Sequence, residues 1–219
     1  KANTDNTIGR FRAMMGRAEG YARPARYLVR FFPPSPITNF KKASEGGPPG
    51  TYSKMTQNSP TIGEMAQLWT QMGEQVQLHC NSVVMPGHDL QGDDFKVFGP
   101  GRKIVSGHEF AGSITCSFYA DKYMRERHFF EKWMNMAVNP DKHTAGYYRD
   151  YVGTMHIYQL GSLDGQGDRD VPTYGIEAIE VYPETIGSVN YAYGSASQIQ
   201  NISVEFQYRR WHNIADKVL

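Results

Sequence analysis

Residues Val181–Trp211 read "VYPETIGSVNYAYGSASQIQNISVEFQYRRW". Val189, Tyr191 and Tyr193 alternate with Ser188, Asn190 and Ala192. After the "GSAS" break, Ile202, Val204, Phe206 and Tyr208 alternate with Ser203, Glu205, Gln207 and Arg209. A period of two over this length is the pattern of half-buried strands, so the stretch reads as two strands around a polar turn. It holds no acid–base pair and no nucleophile with a base beside it, so its expected business is sheet and surface.

Working outward, the same alternation recurs. In "ARPARYLVRFF", Tyr27, Val29 and Phe31 oppose Arg26, Leu28 and Arg30, with Pro24 placed to start a strand. "EQVQLHCNSVVM", "RKIVSG", "GSITCSFYA", "YVGTMHIYQL" and "PTYGIEAIEVY" are further strand candidates. Residues 86–101 are turn-rich, and "GDDF" and "DGQGDRD" (Asp164–Asp170) read as solvated hairpin loops rather than calcium loops. Two segments carry helical spacing. "DKYMRERHFFEKWMNMA" places Phe130, Trp133, Met134 and Ala137 on one stripe, with Asp121 able to cap the first turn and Pro140 just past the end. "NTIGRFRAMMGRAEG" suggests a short N-terminal helix through Ile8, Phe11, Met14 and Met15.

The alternation is interrupted at residues 33–73. "PPSPITNFKKASEGGPPGTYSKMTQNSP" is a Pro-, Gly- and Ser-rich loop of the length that is usually functional or mobile. "TIGEMAQLWTQMG" follows as a helix with Ile62, Met65, Leu68, Trp69 and Met72 on one face and a Thr61/Glu64 capping box. The whole reads as an insertion between two strands. The expected fold is therefore mainly β, an antiparallel sandwich or barrel of seven to eight strands, with one packed α-helix and a helix-bearing insertion. We expect one domain over 1–219: a β core of 20–32 and 74–211, the insertion 33–73, and a C-terminal tail 212–219.

Composition bounds the function. Among 219 residues the formal net charge is +1, without the basic excess of a general polyanion binder. No apolar run approaches the roughly 18–20 residues of a membrane span. The first residues lack the apolar core of a secretory signal, and a start at Lys1 suggests a processed or partial N-terminus. Cys80 and Cys116, the two cysteines, read as buried free thiols on two core strands, with a disulfide the lesser reading and a reducing compartment implied. The seven histidines show no ligand-pair spacing, so no metal is expected. No phosphate loop, dinucleotide fingerprint or nucleophile elbow occurs, so neither cofactor nor enzymatic activity is expected. In "YRRWHN" the Arg–Arg–Trp run suits a partner contact.

Five pieces in order carry a resemblance: "GYARPARYLVRF", "HCNSVVMPG", "GRKIVSGHEFAGSITCSFYAD", "RHFFEKWMN" and the closing "IEVYPETIGSVNYAYGSASQIQNISVEFQYRRW". The chain resembles the tail tube family of contractile-tailed phages, which includes the main tube protein and its baseplate-proximal relative, the tube initiator. The family's Trp or Val after the third element is here Ser113 or Ile114. The resemblance implies a β-sandwich or barrel subunit of the tail-tube type. Its copies would close into a hexameric ring that stacks on other tube or baseplate-hub rings, with possible sheath contact. DNA would pass through the lumen without sequence-specific binding, in a virion assembled in the host cytoplasm. A neutral or acidic lumen is expected, because a basic one would hold DNA.

The long insertion and the tail "HNIADKVL", in which Ile214 and Val218 could dock, favour the initiator over a main tube subunit. A type VI secretion or extracellular injection tube protein is a further alternative, as is a monomeric β-sandwich ligand-binding module. Candidate ring-interface residues are Phe31, Phe40, Tyr52, Leu68, Trp69, Arg102, Tyr193, Arg209, Arg210 and Trp211.

Overall fold

The computed structural model describes residues 22, 24–38, 60–96, 98–110, 112–162, 170–195 and 198–214. The expected N-terminal helix, most of the 33–59 loop with Phe40 and Tyr52, and most of "DGQGDRD" lie outside these residues. In chain order the elements are β1 (Tyr27–Phe32), α1 (Pro60–Leu78), β2 (Cys80–Val83), β3 (Asp89–Phe95), β4 (Arg102–Glu109), β5 (Ile114–Tyr119), α2 (Arg125–Ala137), α3 (Tyr148–Tyr151), β6 (Gly153–Ser162), β7 (Asp170–Ile186), β8 (Asn201–Gln207) and β9 (Arg210–Asn213). A seven-stranded sheet runs β1-β6-β7-β8-β5-β2, with β9 paired to β7, and β3 and β4 form a sheet of their own. The architecture is mainly β and antiparallel, as the alternation predicts.

The described residues group into two compact units. The larger holds Val29–Met155 and Ala178–Trp211. Its core follows from register. Ile114, Cys116 and Phe118 of β5 stand opposite Phe206, Val204 and Ile202 of β8, and all six are buried. Period two puts them on one sheet face. That face is covered by α2, whose buried residues Phe129, Phe130, Trp133 and Met136 recur at three and four. Phe130 lies 4.8 Å from Phe118 and 5.7 Å from Phe206, ring centre to ring centre. These tilted and edge-on pairs add to the burial of large aromatic surface. The stripe on α2 runs through Phe129 and Met136 rather than Met134 and Ala137, which are only half-buried.

The smaller unit takes the described residues up to Leu28, those of His156–Glu177, and those from His212 onward. Here the Leu160 amide donates to the Arg26 carbonyl and the Ile214 amide to the Gly175 carbonyl. Ile157, Ile176 and Ile214 are buried. Ile214 is thus packed within its own subunit, and Val218 lies outside the described residues.

Several expectations are corrected. "EQVQL" is helix, not strand: α1 continues through Leu78 and leaves β2 only four residues. Met65, Met72 and Val76 are among its buried residues, and their spacing continues the helical face of the preceding segment. Trp69 of α1 packs 5.1 Å from both Phe129 and Trp133 of α2. "GDDF" lies within strand β3 rather than a loop. Residues 187–192 are not strand; β7 ends at Ile186 and Tyr193–Ser195 form a single 3-10 turn. Finally, Asp121 does not cap α2. The cap position is Met124 in the left-handed region (φ 54°), and the Asp121 carboxylate instead accepts from Arg125 Nε at 2.6 Å. Glu64 pairs with Lys132 at 2.8 Å, while the Thr61 side chain of the expected capping box lies outside the described residues.

Candidate assembly surface

The β3–β4 hairpin is the most exposed regular structure in the larger unit. Every residue of β3 is exposed, and on β4 only Gly107 is even half-buried. The strands pair Asp89↔Glu109 through Phe95↔Arg102, with an extra residue, Ser106, bulged from β4. Leu90 (66% exposed) and Val105 (60%) lie on one face of the ribbon, Phe95 and Ile104 on the other. Local chemistry holds the ribbon together. Asp94 stands opposite Lys103, and the Arg102 guanidinium lies 5.4 Å over the Phe95 ring. Gln91 Nε2 donates to Glu109 at 2.6 Å.

An aromatic cluster anchors the hairpin's base. His88 stacks on Phe110 at 5.0 Å and meets His108 edge-on at 5.5 Å. Trp211 lies 6.1 Å from Phe110, and its Nε1 donates to the Gly87 carbonyl at 3.1 Å. Nearby in sequence, Arg209 Nη1 donates to Glu180 Oε1 at 2.8 Å while the Tyr148 hydroxyl donates to Glu180 Oε2 at 2.9 Å. Glu180 sits in β7 with φ 59°, a strained setting for a side-chain-bearing residue, which its two partners fix in place. The Arg209 hydrogen bond, followed by that of Tyr148, holds the Glu180 carboxyl below its usual value against the opposing effect of burial. Burial first, then Glu180, pushes Tyr148 up to about 12.

The sequence candidates separate. Arg102, Arg210 and Tyr193 are exposed, Tyr193 completely, and Arg209 is exposed while paired to Glu180. Trp211 is half-buried at the hairpin base. Leu68 and Trp69 are half-buried on α1, with Trp69 turned to α2. Phe31 is a correction: at 4% exposed it lies in the subunit's own core, 5.3 Å from Phe206, and has little surface left for a neighbour. The apolar residues of the hairpin escaped the sequence reading, because a ribbon with no core face shows no polar–apolar alternation. Among the described residues no three His, Cys, Asp or Glu side chains converge as a metal site, and no helix is long and apolar enough to cross a membrane.

The family model described as phage tail tube protein matches residues 22–214. No curated protein matches. The fold is similar to a chain of the extended sheath–tube complex of the extracellular contractile injection system PVC, at 9% identity over 92% of this chain and 95% of that one, TM-score 0.48. A chain of the six-fold symmetrised anti-feeding prophage baseplate is 11% identical over 63% of this chain and 82% of that one, TM-score 0.45. Hcp1 from E. coli EAEC 042 is 12% identical over 63% and 75%, TM-score 0.33. The assignment rests on the match over residues 22–214 rather than on these likenesses: the chain belongs to the phage tail tube protein family.

Proposed function

We propose that this chain is a ring-forming subunit of a contractile phage tail. Six copies close laterally into an annulus that stacks on neighbouring rings and leaves a channel for DNA. The observation that carries the reading is the β3–β4 hairpin, with large apolar side chains on both faces and no covering element among the described residues of its own subunit. A two-stranded ribbon is marginal alone in water, and apolar groups exposed on both sides favour a protein partner. Sheet edges at β1 and β2 give the same incentive, and lateral pairing in a closed ring removes such edges.

The ring's place is at the baseplate-proximal end, as a tube initiator. The support is the long segment before α1 and the tail beyond β9, extra chain suited to a subunit that meets different neighbours on its two sides. The near-neutral composition suits a lumen that lets DNA slide.

Light scattering and negative-stain imaging of the purified protein test the ring. Six-fold annuli are expected; a protein that stays monomeric at the highest attainable concentration rejects it. Antibody labelling of intact particles tests the position. One label at the baseplate supports the initiator, and label along the whole tail makes the chain the main tube subunit instead.

A further inference from the structure

We propose that assembly through the β3–β4 hairpin is governed by protonation of His88 and His108, so that a neighbouring copy seats on this face only when both imidazoles are neutral. The inference rests on the ring reading above and names what regulates that same surface. The register pairs Leu90 with His108 and Gly92 with Val105. His88 and Phe110 flank the two strands at the same parity, so they continue the face that carries Leu90 and Val105. The ring contacts agree. His88 stacks on Phe110 at 5.0 Å, His108 meets Phe110 edge-on at 5.4 Å, and Trp211 lies 6.0 Å from His88. A single strip therefore runs from Trp211 through Phe110, His88 and His108 to Leu90 and Val105.

Both histidines are exposed in the subunit, and in this strip only the imidazoles can gain a charge near neutral pH. The ionisable groups around them are turned elsewhere. Asp89 and Glu109 stand opposite each other on the other face of the ribbon, where Gln91 donates to Glu109 at 2.6 Å. Asp94 and Lys103 stand opposite each other at the far end of the strip's own face. On β9, Arg210 and His212 alternate to the other side from Trp211, and His212 meets Glu177 at 3.0 Å. The occupant is a second copy of this chain. The strip's one cation, Lys103, faces a carboxylate, which does not suit a polyanion. Exposed apolar and aromatic side chains suit a protein surface instead, and the ring sets a copy beside every subunit.

Seating a copy on the strip takes water away from both imidazoles. An imidazolium inside an apolar contact, with no counter-charge on that face beside it, is costly, whereas a neutral ring stacks there readily. The two ring centres lie 5.5 Å apart, so charging both adds mutual repulsion. Assembly therefore releases a proton from each imidazole that is charged beforehand. By linkage the association constant rises by up to about tenfold per pH unit for each proton released.

The test is sedimentation velocity of the purified protein at about pH 5.5 and about pH 8, at one concentration and ionic strength, with negative-stain imaging of the same samples. Annuli are expected at the higher pH and smaller species at the lower, reversibly. His88→Gln with His108→Gln cannot gain the charge and should assemble to the same extent at both, once circular dichroism confirms its fold. His128→Gln, at an exposed position of α2, should keep the wild-type pH dependence. A second measurement counts protons on the wild type. Dilution calorimetry of annuli at about pH 6, in buffers of different ionisation heat, should show proton uptake on dissociation. Annuli equally abundant at both pH values overturn the proposal and leave the ring reading standing. So do a double variant that keeps the pH dependence, and dissociation without proton uptake. Absence of annuli at both pH values overturns the ring reading and this inference together. Where the double variant does not assemble, the wild-type proton count decides.

Discussion

The Nδ1 atom of His79 lies 2.8 Å from Oε1 of Glu126, a carboxylate with no solvent exposure. The second oxygen of Glu126 accepts the Asp121 amide at 2.8 Å, and Gln75 approaches Oε1 at 3.5 Å. Glu126 stands in the first turn of α2, where the helix dipole favours negative charge, while His79 directly follows the last residue of α1. One buried side chain thus joins the end of one helix to the start of the other. Removing it leaves the Asp121 amide and the His79 ring without this acceptor. Glu126→Ala is expected to cost about 1–3 kcal/mol in urea unfolding, the scale for leaving buried hydrogen-bonding groups unpaired. Glu126→Gln, which keeps the shape and an acceptor oxygen, should cost less. A Gln variant as damaging as the Ala variant would mean that the negative charge, and not the shape or the acceptor oxygen, is what Glu126 supplies.

Gly153 opens β6 where the chain passes close to its neighbours. A Cβ there would sit 2.6 Å from the Phe32 carbonyl oxygen and 3.3 Å from Cζ2 of Trp133. The backbone oxygen cannot swing aside, and Trp133 is held by its Nε1 donating to the Tyr151 carbonyl at 2.7 Å. Gly153→Ala is expected to destabilise the fold by about 1–3 kcal/mol, the scale of overpacking. Gly194, with nothing within 4 Å of where a Cβ would stand, is the matching control, and its Ala variant should unfold with the wild type.

Where the sequence carried a physical constraint with a single period, the fold could be read from it. The alternation in Ile202, Val204 and Phe206 is that of β8, and Val29 and Phe31 of β1 are buried as their parity requires. Two constraints competed at α1. Val76, Leu78 and Cys80 alternate like a strand, yet Met65, Met72 and Val76 also fit one helix face, and Leu78 is exposed. The helical pattern won because it could be buried against α2. In residues 188–193 the alternation of Tyr191 and Tyr193 had no surface to face. The chain turns away after Ile186, with the Gly187 amide donating to the Ser203 carbonyl at 2.7 Å, and both tyrosines are exposed. The hairpin was the least legible element, because its exposed side chains face no core of this chain, and period alone cannot encode an exposed ribbon.

The Tyr148–Glu180–Arg209 network predicts losses of stability at both ends of the pH scale. The folded Glu180 carboxyl lies below its usual 4.5, chiefly through Arg209. Its contribution is therefore fully present above 4.5 and is lost as pH falls through the folded value. Tyr148 is raised from 10.0 to about 12, chiefly by burial. Its contribution is present below 10 and is lost as pH rises toward 12. Glu180→Gln should flatten the acid-side decline in thermal midpoint and let Tyr148 ionise nearer 10. Ultraviolet titration of the wild type minus Tyr148→Phe isolates that phenol. A difference curve with its midpoint near 10 in the wild type would show that the network does not form in solution.

The hairpin can be tested by separating folding from assembly. Leu90 and Val105 share one face of the ribbon and are largely exposed in the subunit, so replacing both by Ser removes apolar surface without opening a cavity. Surface substitutions of this kind usually change stability by less than about 0.5 kcal/mol. A residue buried at a protein–protein contact behaves differently, since truncating a central apolar anchor there commonly costs more than about 1 kcal/mol. The double variant Leu90→Ser with Val105→Ser is therefore expected to keep the wild-type thermal midpoint measured in the subunit form. It should sediment as a smaller species at concentrations where the wild type forms annuli. Phe118→Ala, at the centre of the core, should do the opposite and lower the midpoint first. If the double variant builds annuli as readily as the wild type, this face of the hairpin is not what holds neighbouring copies together, and the contact must be sought at the β1 and β2 edges of the larger sheet.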